Sequence, residues 1–461
     1  MLTEDQAADI FSRIKKYSTA DEVEGLFYGG RSALTRFANN TIHQNVAEEN
    51  YGVSVRTVFG GRTARATTNR FDDQSLKDVV KASEDLARVQ EPDADLLPMP
   101  NVGEGARATQ AVPSRHFAET AAVTPEQRAD GVGKIVAIAQ KHKLTTAGIF
   151  SSSESVEGIF NSCGLSNWHT QTSAEISITM LAPDSSGWQK SNSPNVANLN
   201  PQALAEIAAK KAAESGNPRE IAAGKYTVIL EPSAVLDMTG FMFFDFGGLA
   251  ILDQRSFLNN RIGNNLFGKN ISIWDDVAHP LQSGPSFDGE GLRRQKVQLV
   301  ENGVVKRLVY ARASAEKMRQ SEYADKVGPI EPTGHGFPIP NEMGEGPMNI
   351  VFEPPRDPKT VDQMIASTER GILVTRLWYI REVDPYEKIL TGMTRDGTFL
   401  VENGKVVCGV RNFRFNQSLI EMLSNVEQMS TPVRTSGEES FDMVVPAMKV
   451  DGFNFTEVTK F

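Results

Sequence analysis

The chain has 461 residues, a formal charge of −10, 40% apolar and 23% charged residues and two cysteines. Its length exceeds what one hydrophobic core organises, so two domains are expected. The acidic balance and the lack of a Lys/Arg run speak against nucleic acid, and Cys163 and Cys408 make no disulfide framework, which fits a reducing cytoplasm.

The N-terminus, Met1-Leu-Thr-Glu-Asp-Gln6, has acids where a signal peptide needs bases. The most apolar window, Phe241–Ile251, is too short to span a bilayer and contains Asp245, so no membrane association is expected. Residues 4–17 read as an amphipathic helix with Ala7, Ile10, Phe11 and Ile14 on one face. Strand signals follow at Glu22–Tyr28, Ser32–Ala38, Thr41–Val46 and Tyr51–Phe59, with Asn39-Asn40 and Gly60-Gly61 where hairpin turns belong, giving an antiparallel meander. A helix over 74–89 leads into a Pro- and Gly-bearing crossing at 91–114.

Thr124-Pro-Glu-Gln127 supplies an N-cap, a Pro at the first helical position and a capping-box Gln for a helix to about Lys143. Ser155–Phe160 and Ser173–Met180 alternate as strands, Asn200-Pro201 opens a helix to Ser215, and Gly216–Gly224 reads as a linker. The expected domains are therefore 1–222 and 223–461. Tyr226–Leu230 is a buried-strand run followed by an apolar helix to about Phe246. Two Asn-Gly hairpins follow, at Asn302-Gly303 and Asn403-Gly404, sharing Leu-Val-Glu-Asn-Gly. Asp357-Pro358 and Asn416 are read as openings of helices to Gly371 and Met429, and Val444–Val450 as a strand. The fold class is α+β: an N-terminal mixed domain with an antiparallel sheet, then a β-rich, barrel-like domain with a few helices.

Chemical motifs are sparse. The six histidines, His43, His116, His142, His169, His279 and His335, include no two within 20 residues, so no His-Glu-x-x-His pair exists to face one metal. Ser314-Ala-Glu-Lys317 fits S-x-x-K, a pattern that arises often by chance and lacks its companion signatures here. Nucleophile-elbow, Walker and dinucleotide motifs are absent. Two polar stretches stand out. Glu331-Pro-Thr-Gly-His-Gly-Phe337 holds His335 between glycines, facing either a cleft or solvent. Thr391-Gly-Met-Thr-Arg-Asp-Gly397 reads as an irregular turn between strands, fit either to hold another chain closely or to be an ordinary loop. Trp378-Tyr379 with Arg376 and Arg381 line a groove or belong to the core.

Several stretches in order along the chain resemble the TldD/PmbA family, in its PmbA (TldE) branch. They are Arg36-Phe-Ala-Asn-Asn40, Val53–Arg62, Asn217-Pro-Arg219, Gly224–Pro232, Pro332-Thr-Gly-His-Gly336, Thr391–Gly404 and Val445-Pro-Ala447. The resemblance implies a subunit of a cytoplasmic proteolytic complex acting on unfolded peptides, antitoxins or peptide-antibiotic precursors; the family name "modulator of DNA gyrase" reflects such roles. TldD-type subunits carry His-Glu-x-x-x-His on the helix after a strand ending in Pro, and a cysteine near the C-terminus. Here that helix, Ala234–Gly248, has no histidine and Val433–Ser440 no cysteine. The resemblance thus implies no catalytic residue and no metal ligand in this chain, with zinc in a TldD-like partner. Peptide would lie along Thr333, Gly334, His335, Thr391, Gly392, Arg395 and Gly397 by strand addition. Two alternatives stand beside this: a free-standing hydrolase using His335 with Asp237, Asp245 or Glu331, and a peptide-binding scaffold, with a homodimer as a further assembly state.

Overall fold

The computed structural model describes residues 1–103 and 112–459. Of the expected crossing at 91–114, residues 104–111 lie outside the described part. The N-terminal half contains α1 (Glu4–Tyr17), β1 (Glu22–Ala38), β2 (Thr41–Phe59), β3 (Arg62–Thr68), α2 (Asp73–Arg88), α3 (Ala118–Ala121), α4 (Pro125–Lys141), β4 (Thr145–Asn161), β5 (Ser166–Leu181), β6 (Ser186–Ser193) and α5 (Pro201–Glu214). The strands form one antiparallel sheet in the order β3-β2-β1-β4-β5-β6. Thr3 and Thr124 close capping boxes on α1 and α4, so orphan amides are met by local side chains as the sequence predicts.

Alternation decides which face of this sheet is covered by what. Val23 and Phe27 of β1 pack with Ile10, Ile14, Leu76 and Val80 of α1 and α2, while Phe37, Phe150 and Ile176 pack with Val132, Ile135 and Ala208 of α4 and α5. Helices α1, α2, α4 and α5 thus lie on one face. Leu26 and Ile159 point the other way and meet Phe287 of the C-terminal half. The two short strands expected at 22–28 and 32–38 are one 17-residue strand. The join is Gly29-Gly30, where a Cβ on Gly30 would stand 2.0 Å from the Glu154 carbonyl, so strand pairing continues through a spot only glycine can occupy.

The C-terminal half comprises β7 (Gly224–Leu230), α6 (Pro232–Thr239), α7 (Gly248–Leu252), β8 (Ile273–Asp275), β9 (Val297–Glu301), β10 (Val304–Val305), α8 (Arg312–Arg319), β11 (Ile350–Phe352), α9 (Val361–Ala366), β12 (Arg370–Asp384), β13 (Ile389–Glu402), β14 (Lys405–Gly409), β15 (Phe413–Ser418), α10 (Leu419–Ser424), β16 (Val426–Met429), β17 (Val433–Thr435), β18 (Met443–Val445) and β19 (Met448–Val458). Strands β12, β7, β19, β15 and β13 pair in turn and β13 pairs back to β12, closing a barrel. A second sheet, β10-β9-β8-β11-β18-β17, packs beside it. The main core is built from both and from α6.

Three expected helices are shorter than their sequence signals. The apolar helix after β7 is α6, ending at Thr239, then a tighter 3-10 stretch, Gly240–Phe246, and Gly240 at the join lies against Ser440 where a Cβ would clash. The helix assigned to 357–371 is only α9, capped by Thr360 and Gln363. The one assigned from Asn416 is α10, capped by Ser418, and its second half is strand β16 instead, paired to β19. Among the described residues no helix is long and apolar enough to cross a membrane.

Candidate functional site

Helix α6 is where the resemblance would place metal ligands. Its inward carboxylate is Asp237, fully buried, whose Oδ1 accepts the backbone N–H groups of Glu438 (3.3 Å) and Glu439 (3.2 Å) from the C-terminal loop. Its Oδ2 is buried without a partner. Burial pushes the carboxyl up to about 7, against the pull of those amides and of Arg376. The neighbouring acids are committed elsewhere: Glu439 accepts from Tyr379 N (2.7 Å), Glu438 pairs with Lys190 (3.5 Å) and Asp245 with Lys388 (2.6 Å). Among the described residues no group of three or more His, Cys, Asp or Glu side chains is placed to hold a metal. One amide-bound carboxyl among Leu236, Met238 and Phe243 does not fit zinc, which needs three or four protein donors converging on it.

This gives a pH prediction. Between the ordinary carboxylate value and about 7, the folded chain keeps a proton on Asp237 that the unfolded chain has released, so stability falls as pH rises through that window. Asp237→Asn, which keeps an acceptor for the two amides, is expected to raise stability by roughly 1–3 kcal/mol at pH 8 and to change little near pH 5, read by urea unfolding at both pH values. A variant that destabilises equally at both would show that the charged form is the native one.

His335 lies inside the protein, 1% exposed, and the side chain of Thr333 is buried with it. Its Nδ1 is 3.0 Å from Thr333 Oγ1, and its Nε2 is 3.1 Å from Asp275 Oδ1, off the line of a straight hydrogen bond. Asp275 Oδ2 accepts from Met348 N and Asn349 N (2.7 and 2.8 Å). Burial pushes the Asp275 carboxyl up, but His335, Arg294 and these amides outweigh it and hold it below the usual value. Glu331 is at the surface with Arg307 (2.8 Å), so His335, Asp237, Asp245 and Glu331 do not assemble. The S-x-x-K pair is also separated: Ser314 Oγ donates to Glu345 (2.7 Å) and Lys317 reaches Asp95 (2.7 Å).

Thr391–Gly397, expected as a loop, is the middle of strand β13. Pairing with β12 shifts between Val374 and Arg376, where Asp396 (φ 54°) and Gly397 (φ 123°) form a bulge that keeps the barrel closed. There Asp396 accepts from Arg376 Nε (2.8 Å), and Arg376 stacks on Trp188 while Arg395 stacks on Trp378, 4.6 and 4.5 Å from the ring centres. Thr391 Oγ1 donates to Phe415 O (3.0 Å), and a Cβ on Gly392 would stand 2.7 Å from the Phe415 ring. Of the expected substrate-binding residues, Arg395 lines a surface cavity with Trp378 and Tyr379, and Gly397 lines its neighbour. Thr333, Gly334 and His335 belong to the buried network instead.

Sequence reading missed the cleft between the two halves, about 670 Å³. Its floor is the helix-free face of the N-terminal sheet, with Leu26, Tyr28 and Glu157; its roof is the 282–294 and 336–349 loops with Phe287, Phe337 and Arg294. Burial pushes the Glu157 carboxyl up, opposed by Arg294. The halves are tied at one side by Glu24, whose carboxylate bonds Arg56 (3.0 Å) and Arg65, while Arg65 also donates to the Ile339 carbonyl. Arg56, the one charge in the Val53–Phe59 run of β2, was the available sequence signal.

A six-stranded antiparallel sheet with its helices on one face, joined to a closed five-stranded barrel, defines an α+β architecture of two parts. Models of the PmbA/TldA metallopeptidase match residues 23–87 (domain 1), 119–215 (central domain) and 223–457 (C-terminal domain). The chain belongs to the TldD/PmbA family. It is 22% identical over 438 residues to the metalloprotease PmbA of Escherichia coli O157:H7, covering 92% of this chain and 90% of that one. A metalloprotease PmbA homolog of Haemophilus influenzae is 23% identical over 254 residues, 54% of this chain and 51% of its own. The crystal structure of TldE from Thermococcus kodakarensis shares the fold with a TM-score of 0.84 at 19% identity, over 98% of this chain and 99% of that one.

Proposed function

We propose that this chain is the non-catalytic, TldE/PmbA-like subunit of a cytoplasmic metallopeptidase pair, in which a TldD-like partner holds zinc and cuts unfolded peptides, antitoxins or peptide-antibiotic precursors. The observation that carries the reading is Asp237: at the ligand-bearing helix of the family stands one carboxyl locked by Glu438 and Glu439 amides, with apolar neighbours and no histidine. The likeness to TldE supports the fold, and the matched metallopeptidase domains support the proteolytic setting. The free-standing hydrolase reading loses its base, because His335 is buried against Asp275 and Thr333.

Co-expression tests this directly. The chain purified alone is expected to hold no stoichiometric zinc and to leave peptides uncut, and to co-purify with a TldD-like subunit whose peptidase activity depends on the pairing. Stoichiometric zinc with peptide cleavage by the isolated chain overturns the reading.

A further inference from the structure

The 670 Å³ cleft between the halves contains two ionisable groups left without full hydrogen-bond partners. No described residue donates a hydrogen bond to the Glu157 carboxylate, which projects from β4 opposite Tyr28 of β1, and Arg294 is the charge that acts on it. Arg294 donates through Nε to the Phe287 carbonyl (3.2 Å), while its Nη1 is buried with no partner. Two further carboxylates in the wall are committed: Asp288 accepts from the amides of Glu290 (3.0 Å), Leu292 (2.9 Å) and Gly336 (2.8 Å), and Asp442 accepts from Arg434 (2.9 Å) and Asn192 (2.6 Å). What remains for a ligand beside Phe287, Phe337 and Phe441 is the Glu157 carboxylate and Arg294 Nη1, flanked by the Tyr28 and Ser155 hydroxyls.

That set selects a chemistry. An anion entering the cleft meets Glu157, Asp288 and Asp442, and a cation meets Arg294; either leaves one of the two unpartnered groups opposed by its own sign. A neutral amide satisfies both at once, its N–H donating to Glu157 and its C=O accepting from Arg294, while an adjacent apolar side chain enters the aromatic wall. The volume lies in the range of ligand pockets, about 300–1,000 Å³.

We propose that this cleft is a peptide-binding site, in which Glu157 and Arg294 hold the main chain of an extended, uncharged segment and Phe287, Phe337 and Phe441 receive an apolar side chain. It deepens the reading of the chain as a peptidase subunit and rests on it for the identity of the ligand, but binding belongs to this chain alone. Specificity for main chain plus one apolar side chain, without sequence-specific polar contacts, is what a protein handling unfolded segments needs.

The test uses the full chain and three fluorescein-labelled ten-residue unstructured peptides: uncharged and apolar-rich, acidic, and basic. Anisotropy is expected to show saturable binding of the uncharged peptide and weaker binding of both charged ones. Arg294→Met, which keeps the aliphatic stem, is expected to weaken binding roughly tenfold or more, and Glu157→Gln severalfold. Wild-type affinity in both variants, or preference for a charged peptide, overturns the proposal. Should Arg294→Met unfold, hydrogen exchange on the wild-type chain decides: the peptide must protect amides in 282–294 and 336–349, and protection elsewhere sinks the site. Co-purification with a TldD-like subunit is scored separately, so loss of peptide binding with intact pairing refutes the cleft alone, and the reverse refutes the subunit reading alone.

Discussion

His335→Ala is expected to lower the unfolding free energy by about 3–5 kcal/mol, the usual cost of leaving a buried carboxylate without its partner. The side chains of His335 and Asp275 are both fully buried, and Asp275 Oδ1 has no other partner. Deleting the imidazole leaves Asp275 with two amide bonds on Oδ2 and an opposing charge only in Arg294. It also removes one contact of the Thr333 hydroxyl, which keeps its two bonds to the main chain of Tyr310. The sign with pH follows from Asp275, whose folded carboxyl titrates below its unfolded value. Its contribution is present in full above the unfolded value, about 3.9, and is lost as pH falls through the depressed one. The wild type and variant should therefore differ in full above about pH 5 and converge as pH falls below it, in urea or guanidinium titrations with unchanged slope. A variant within 1 kcal/mol of wild type would mean that His335 is not structural, and would reopen its use in chemistry.

The contrast between His335 as read and as found shows where sequence reasoning stops. Flanking glycines suggested a loose loop. Here they signal close packing: a Cβ on Gly334 would stand 2.0 Å from the Arg293 carbonyl, and one on Gly336 2.6 Å from Glu290. Local rules were legible where both partners are local. Asn302-Gly303 and Asn403-Gly404 are hairpin turns with positive φ at both positions, and the capping boxes at Thr3 and Thr124 start their helices. The bulge at Asp396-Gly397 uses the same backbone freedom inside a strand, and nothing short-range separates the two uses. Long-range partners were not legible. Asp275 and His335 are 60 residues apart in sequence, and Glu157 meets Arg294 only because β4 lies under the 282–294 loop. The lack of histidine after β7 was legible, but nothing local indicated that Asp237 is held by amides of a loop some 200 residues on.

Glu24→Gln should produce a loss of similar size, about 3–5 kcal/mol, by a different route. The Glu24 side chain is 1% exposed and answers two guanidinium groups, Arg56 at 4% and Arg65 at 14% exposure. Burial pulls the Arg65 guanidinium down, with Glu24 opposing the pull and Arg56 adding to it. Neutralising Glu24 therefore leaves two like charges facing each other in a poorly hydrated place, where a surface pair of the same geometry would cost under about 1 kcal/mol. The damage should reach the seam between halves, because Arg65 also holds the Ile339 carbonyl of the loop that roofs the cleft. Two measurements separate this from simple loss of a surface bridge. Added salt to about 0.5 M should leave the difference between wild type and variant nearly unchanged, since the pair is shielded from counterions. Limited proteolysis should cut the 336–349 loop faster in the variant. A salt-sensitive loss below about 1 kcal/mol, with unaltered cleavage there, would place Glu24 among the dispensable pairs and leave the two halves held by apolar contact alone.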